Sequence, residues 1–181
     1  MPFPSPFLNY FSSMPSLSHL DAQGKASMVG VGHKPDQKRI AEAIGTLQVK
    51  PETIRLLKKK ALPKGDVLTV AQIAGIQAAK KTADLIPLCH PLPLHKIDLQ
   101  FKIGPKSIEI WAMAETTGKT GVEMEALTAV SVAALTLFDM CKAVDKTMKI
   151  TNIRVLKKTK RDLTAKLDSK NAKVIKFYSN H

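Results

Sequence analysis

Polar and apolar residues alternate with period two in two neighbouring stretches of the chain. Between Lys96 and Ile103, the residues Ile97, Leu99, Phe101 and Ile103 share one side, and residues 108–114 alternate back. Gly104-Pro105-Lys106 separates them, so the two stretches predict a β-hairpin. Residues 27–31 and 150–156 predict two further short strands. Residues 39–49 fit neither period cleanly and are read as a strand. Pro51 opens a short helix that reaches Lys60, with lysines at its end. Lys64-Gly65-Asp66 forms a turn, and Asp66 caps a second helix that runs to about Thr82, with Val70, Ile73, Ala74 and Gln77 on one face. Gly75 inside that helix costs roughly 1 kcal/mol against alanine, which predicts a close neighbour.

The longest helical pattern covers residues 118–146. Met124, Leu127, Val130, Ala134, Leu137, Phe138, Cys141 and Val144 step by three or four. Thr120 precedes Glu123 by three positions, the capping-box signature of a helix start. Residues 126–138 carry no charge, which predicts a helix buried nearly all round. The order strand, helices, strand, strand, helix, strand predicts an α+β fold: a ferredoxin-like antiparallel sheet with helices packed on one face.

Charges collect at the two ends of the long helix. Glu123 and Glu125 near its start suit the helix dipole, and Glu123 reads equally as a cap. Asp139 stands near the C-terminal end, where the dipole disfavours an acid, and Lys142 lies three residues on. Such a pair is either an acid/base site or a structural ion pair. Glu125 and Asp139 lie fourteen residues apart, so a continuous helix separates them by about 21 Å. That is too far for one small-molecule site, and it predicts a site built between subunits. Between the second helix and the hairpin, residues 85–96 (LIPLCHPLPLHK) hold three prolines and no regular pattern. Cys89 and His90 sit in its middle, either packed into a loop or lining a pocket.

Composition narrows the choice. The net charge of +13 points to an anionic partner, although residues 157–181 alone hold eight Lys or Arg against two Asp. Cys89 and Cys141 form no disulfide framework, which predicts a reducing, cytoplasmic compartment. No apolar run reads as long enough to cross a membrane. Residues 1–17, rich in Pro and Ser and uncharged, read as a disordered leader, with Met14 an alternative start. Gly118-Lys119-Thr120 is no P-loop, because Met113 stands where its first glycine belongs. Aromatic content of 5% disfavours an RNA-binding sheet, leaving that reading as the alternative, together with an inactive scaffold. The residues alone nominate Lys64, His90, Glu123, Glu125, Asp139 and Lys142 for acid/base chemistry on an anionic small molecule.

Residues 64–92, KGDVLTVAQIAGIQAAKKTADLIPLCHPL, and 117–146, TGKTGVEMEALTAVSVAALTLFDMCKAVDK, closely resemble the MoaC family of cyclic pyranopterin monophosphate synthases. The likeness runs from Leu17 to Lys158 and gives a catalytic domain over residues 18–158, followed by a basic tail, 159–181. The resemblance implies molybdenum-cofactor biosynthesis: conversion of (8S)-3′,8-cyclo-7,8-dihydroguanosine 5′-triphosphate to cyclic pyranopterin monophosphate with release of diphosphate. No cofactor and no nucleic-acid or membrane partner is expected, and no metal ligands, since His90 and His95 have no matching Cys or carboxylate cluster nearby. The resemblance also implies a homohexamer, a trimer of dimers with sites between chains. Carried over, the family's catalytic aspartate falls on Asp139, its partner lysine on Lys142 and the lysine of its KGD motif on Lys64. Leu88, Cys89, His90, Met124 and Glu125 fall on substrate-contacting segments, with Glu123 beside them. The roles expected on these positions make Asp139 and Lys142 the principal acid/base pair, with Lys64 protonating or holding a developing oxyanion. His90 and Glu125 orient the rings, and Arg39 and Lys158 meet phosphates. Gly30 stands where the family generally has Asp, Gly32 replaces a usual small polar residue, and Thr159-Lys160-Arg161 replaces a Gly-Gly turn.

Overall fold

A computed structural model describes residues 23–163. The leader read at residues 1–17 lies outside the described residues, as do residues 164–181 of the tail. The chain divides into two units, Met1–His33 and Lys34–His181. In the first, residues 27–31 form no strand, contrary to expectation. Gly30 and Gly32 offer no side chain to pack and cost the most entropy to extend.

The second unit runs β1 (Gln37–Gln48), α1 (Pro51–Lys58), α2 (Val67–Lys80), the single turn α3 (Thr82–Leu85), β2 (Leu94–Ile103), β3 (Ser107–Gly118), α4 (Glu123–Cys141) and β4 (Lys149–Asp162). The four strands form one antiparallel sheet in the order β2-β3-β1-β4, with α4 packed across β1, β3 and β4, and α2 against α4 and β2. This is the expected α+β architecture. Alternation decides the layers: Ile108, Ile110, Ala112 and Ala114 of β3 are fully buried beneath α4. β4 extends beyond the predicted residues 150–156, because β1 begins early enough to pair Arg39 with Lys160 and Gln37 with Asp162. Residues 159–162, read as tail, therefore belong to the sheet.

Small residues set the helix spacing. A Cβ on Gly75 would lie 2.6 Å from Leu99 Cδ2 and 2.8 Å from the Ala129 carbonyl oxygen, so α2 and α4 approach as closely as the glycine predicts. The buried stripe of α2 is Val67, Ala71, Gly75, Ala78 and Ala79, and Val70 and Ile73 face outward. Asp66 caps α2 as expected, accepting the Thr69 N–H at 3.1 Å.

Three expectations about the long helix are corrected. Its N-cap is Val122, with no side-chain cap, and Thr120 lies before the helix. Glu123 bonds Lys158 instead of closing a capping box. The helix is not buried all round: Leu135 is 59% exposed, Met124, Asp139 and Lys142 share its open side, and Val144 lies beyond its end. Nineteen residues at a mean hydropathy of 1.5 also meet the length and composition of a membrane-crossing helix, because the flanking charges are too few to offset the apolar middle. Its inner side is nonetheless the core layer over the sheet.

Candidate active site

Two turns deliver Lys64 to the C-terminal end of α4. Lys60 (φ 52°) and Gly65 (φ 82°) both adopt the left-handed conformation, bending the chain between α1 and α2. Lys64 Nζ then lies 2.6 Å from Asp139 Oδ2 and donates to the Asp139 carbonyl oxygen at 3.2 Å. Lys142, at the C-cap, places Nζ 2.7 Å from Asp139 Oδ1. The Lys142 hydrogen bond, then that of Lys64, holds the Asp139 carboxyl down to about 2. All three side chains are 41–57% exposed. Ion pairs that open to water are screened and add little to stability, which leaves two lysines on one carboxylate to be explained by chemistry. The arrangement offers an ionised base flanked by two proton-bearing cations.

The N-terminal end of α4 is different. Glu125 is 4% exposed, and its Oε2 has no hydrogen-bond partner among the described residues. Burial pushes its carboxyl up, and the neighbouring charge of Glu123 pushes the same way. Glu123 folds back over Gly121, where a Cβ would sit 2.7 Å from its Cδ, and accepts Lys158 Nζ at 3.0 Å. Arg39 donates through Nε to the Gly118 carbonyl at 3.0 Å and through a terminal nitrogen to Gln37 Oε1 at 2.8 Å. Arg39, Glu123, Lys158 and Lys160 line a cavity of about 330 Å³ floored by Gly121 and Val122. Three cations and one carboxylate around such a space suit a phosphorylated ligand.

The structure thus sorts the sequence candidates into two groups. Lys64, Asp139 and Lys142 meet at one end of α4. Arg39, Glu123 and Lys158 meet at the other, beside buried Glu125 and exposed Met124. Cys89 joins the second group: burial raises its thiol, and the charge of Glu125 adds to the effect. Leu88 and His90 flank it in the irregular segment before β2. Cys141 is buried and pushed up to about 11, so neither thiol supplies a thiolate near neutral pH. Among the described residues no three His, Cys, Asp or Glu side chains converge on a metal position. Within one chain about 21 Å of helix separates Glu125 from Asp139. Lys160 is the charged residue of this lining that the sequence reading did not nominate. Its signal was the two-residue spacing from Lys158 along one strand.

Comparison with known proteins places the chain. The family model described as MoaC matches residues 28–161. The chain is 54% identical over 144 residues to the cyclic pyranopterin monophosphate synthase of Desulfitobacterium hafniense, covering 79% of this chain and 88% of that one. It is 58% identical over 144 residues to the protein of the same name from Chloroflexus aurantiacus, covering 78% and 88%. It is also 59% identical over 142 residues to the molybdenum cofactor biosynthesis bifunctional protein of Chlorobaculum tepidum, covering 78% of this chain and 46% of that larger one. With the matched span running from Met28 into the last strand, through both groups of charged residues, this chain belongs to the MoaC family.

Proposed function

We propose that the chain is a cyclic pyranopterin monophosphate synthase, converting (8S)-3′,8-cyclo-7,8-dihydroguanosine 5′-triphosphate to the cyclic monophosphate and diphosphate. The observation that carries this reading is Asp139 held between Lys64 and Lys142, in a chain more than half identical to proteins of that name. Closing the cyclic phosphate forms one P–O bond from a substrate hydroxyl and breaks another to release diphosphate. The hydroxyl proton goes to a base, and the departing charge needs cations. Ionised Asp139 is the base. Lys142 returns protons, and Lys64 holds the oxyanion that develops during ring rearrangement. Arg39 and Lys158, with Lys160, receive the phosphates. Glu125, its carboxyl raised, and His90 orient the rings, with Leu88, Cys89 and Met124 as pocket wall. The two free thiols suit a cytoplasmic setting.

Because one copy keeps the two groups apart, the working site takes residues from two chains of a homohexamer. The open side of α4, with Leu135 exposed between the charged ends, is the surface that a second copy covers. Incubation of the purified protein with the cyclised nucleotide yields one diphosphate per product. Salt-sensitive RNA binding without diphosphate release would favour the alternative of a non-catalytic anion-binding module. Mixing refolded Asp139→Asn and Glu125→Gln chains raises turnover above the sum of the two variants measured apart. A mixture as inactive as its parts shows that each site is built from a single chain.

A further inference from the structure

Asp145 lies four residues beyond α4 and is 1% exposed. Both of its carboxylate oxygens face backbone donors that cannot reverse. Oδ2 accepts the Lys50 N–H at 2.7 Å and Thr53 Oγ1 at 3.2 Å. Oδ1 accepts the Thr147 N–H at 2.9 Å and Thr147 Oγ1 at 2.8 Å. Burial raises its carboxyl, but these hydrogen bonds outweigh burial and bring it down to about 2. Asparagine is no replacement, because its amide would turn an N–H toward one of the two backbone N–H groups.

The position of this carboxylate links two elements. Lys50 is the N-cap of α1 and makes no side-chain cap of its own. Asp145 takes the Lys50 N–H and bonds Thr53 at the third helical position, closing the start of α1 from 95 residues away. Asp145 is itself tied to the end of α4, its N–H donating to the Cys141 carbonyl at 3.1 Å. α1 leads into the turn that carries Lys64, and the last turn of α4 carries Asp139, with Lys142 at its cap. α1 and α4 share no extended interface. The Lys64–Asp139 pair, farther along the same turn, is exposed and joins flexible side chains that restrain geometry weakly.

We propose that Asp145 is a positioning residue: by clamping the start of α1 to the segment after α4, it sets the spacing at which Lys64 meets Asp139. The proposal rests on the reading of that group as catalytic, but its geometric part is measured separately. In full-length protein, carboxyl-¹³C titration reads Asp139, assigned by difference with Asp139→Asn, while diphosphate release gives kcat and KM. Asp145→Asn raises the Asp139 titration midpoint from about 2 toward the ordinary range and lowers kcat roughly ten- to hundredfold, with KM within about twofold. Ile110→Val, in the core of β3, is the control for general loss of stability and leaves the Asp139 midpoint in place. If Asp145→Asn fails to fold, the Thr53→Val/Thr147→Val double variant carries the same readouts. An unmoved Asp139 midpoint, or a kcat loss no larger than the control's at equal thermal stability, overturns the proposal. Retention of turnover by Asp139→Asn sinks the catalytic reading instead, and the titration still decides whether Asp145 positions the group.

Discussion

At the C-terminal end of α4, Asp139 stands in the open between two ammonium groups and stays ionised down to about pH 2. At the N-terminal end, Glu125 is buried, has an oxygen with no partner and is pushed upward. The same functional group on the same helix is tuned in opposite directions, one by hydrogen-bonded cations and the other by lost water. Carboxyls pushed apart in this way suit the division of proton transfers proposed above. The more exposed carboxyl is the more strongly held as an anion.

Four measurements test the contrast, in decreasing order of expected effect. Asp139→Asn removes the open base and lowers kcat for diphosphate release by roughly 10²- to 10⁴-fold while leaving the fold intact. Near-normal turnover in a folded variant ends the catalytic reading of that end. Lys64→Ala lowers kcat by roughly 10²-fold and lets the Asp139 carboxyl rise, as followed by carbon NMR. An unmoved titration would mean that Lys142 alone controls it. Gly75→Ala, midway between the ends, destabilises the fold by roughly 1–3 kcal/mol in urea, yet leaves both carboxyl titrations in place. The smallest effect concerns Glu125. A carboxyl raised on folding gives stability below its unfolded value near 4.5 that is lost as pH rises through the folded one. Glu125→Gln therefore gains on the wild type as pH is raised from 4 to 8, and urea midpoints across that range check the sign. Asp139, lowered on folding, shows the reverse: its contribution is present above about 3.8 and lost as pH falls toward 2.

Much of this was readable along the chain, for identifiable reasons. Strands β2 and β3 announced themselves because alternation is fixed by the pleat, and Asp66 because its cap is local. Asp139 stood out because it opposed the helix dipole. What escaped depended on partners distant in sequence. β4 runs on because β1 is there to pair with it, and the inner face of α2 follows from Gly75 meeting Ala129. Asp145 carries no local signal, because the partners that hold it, Lys50 and Thr53, lie 95 and 92 residues away. Thr120 misled because a capping box is a local pattern, and Lys158 outbid the helix start for the Glu123 carboxylate. The contact between Lys64 and Asp139, 75 residues apart, was legible only through the likeness to a known family.

The glycine beneath Glu123 offers a handle to the protein engineer. Gly121 makes room for the carboxylate to curl over the backbone, and a single methyl at that position would collide with its tip. Gly121→Ala thus evicts the acid from its perch without altering its chemistry, freeing the Lys158 ammonium and leaving the cavity wall more cationic. The phosphate preference proposed for that cavity then becomes adjustable by one carbon atom on its floor.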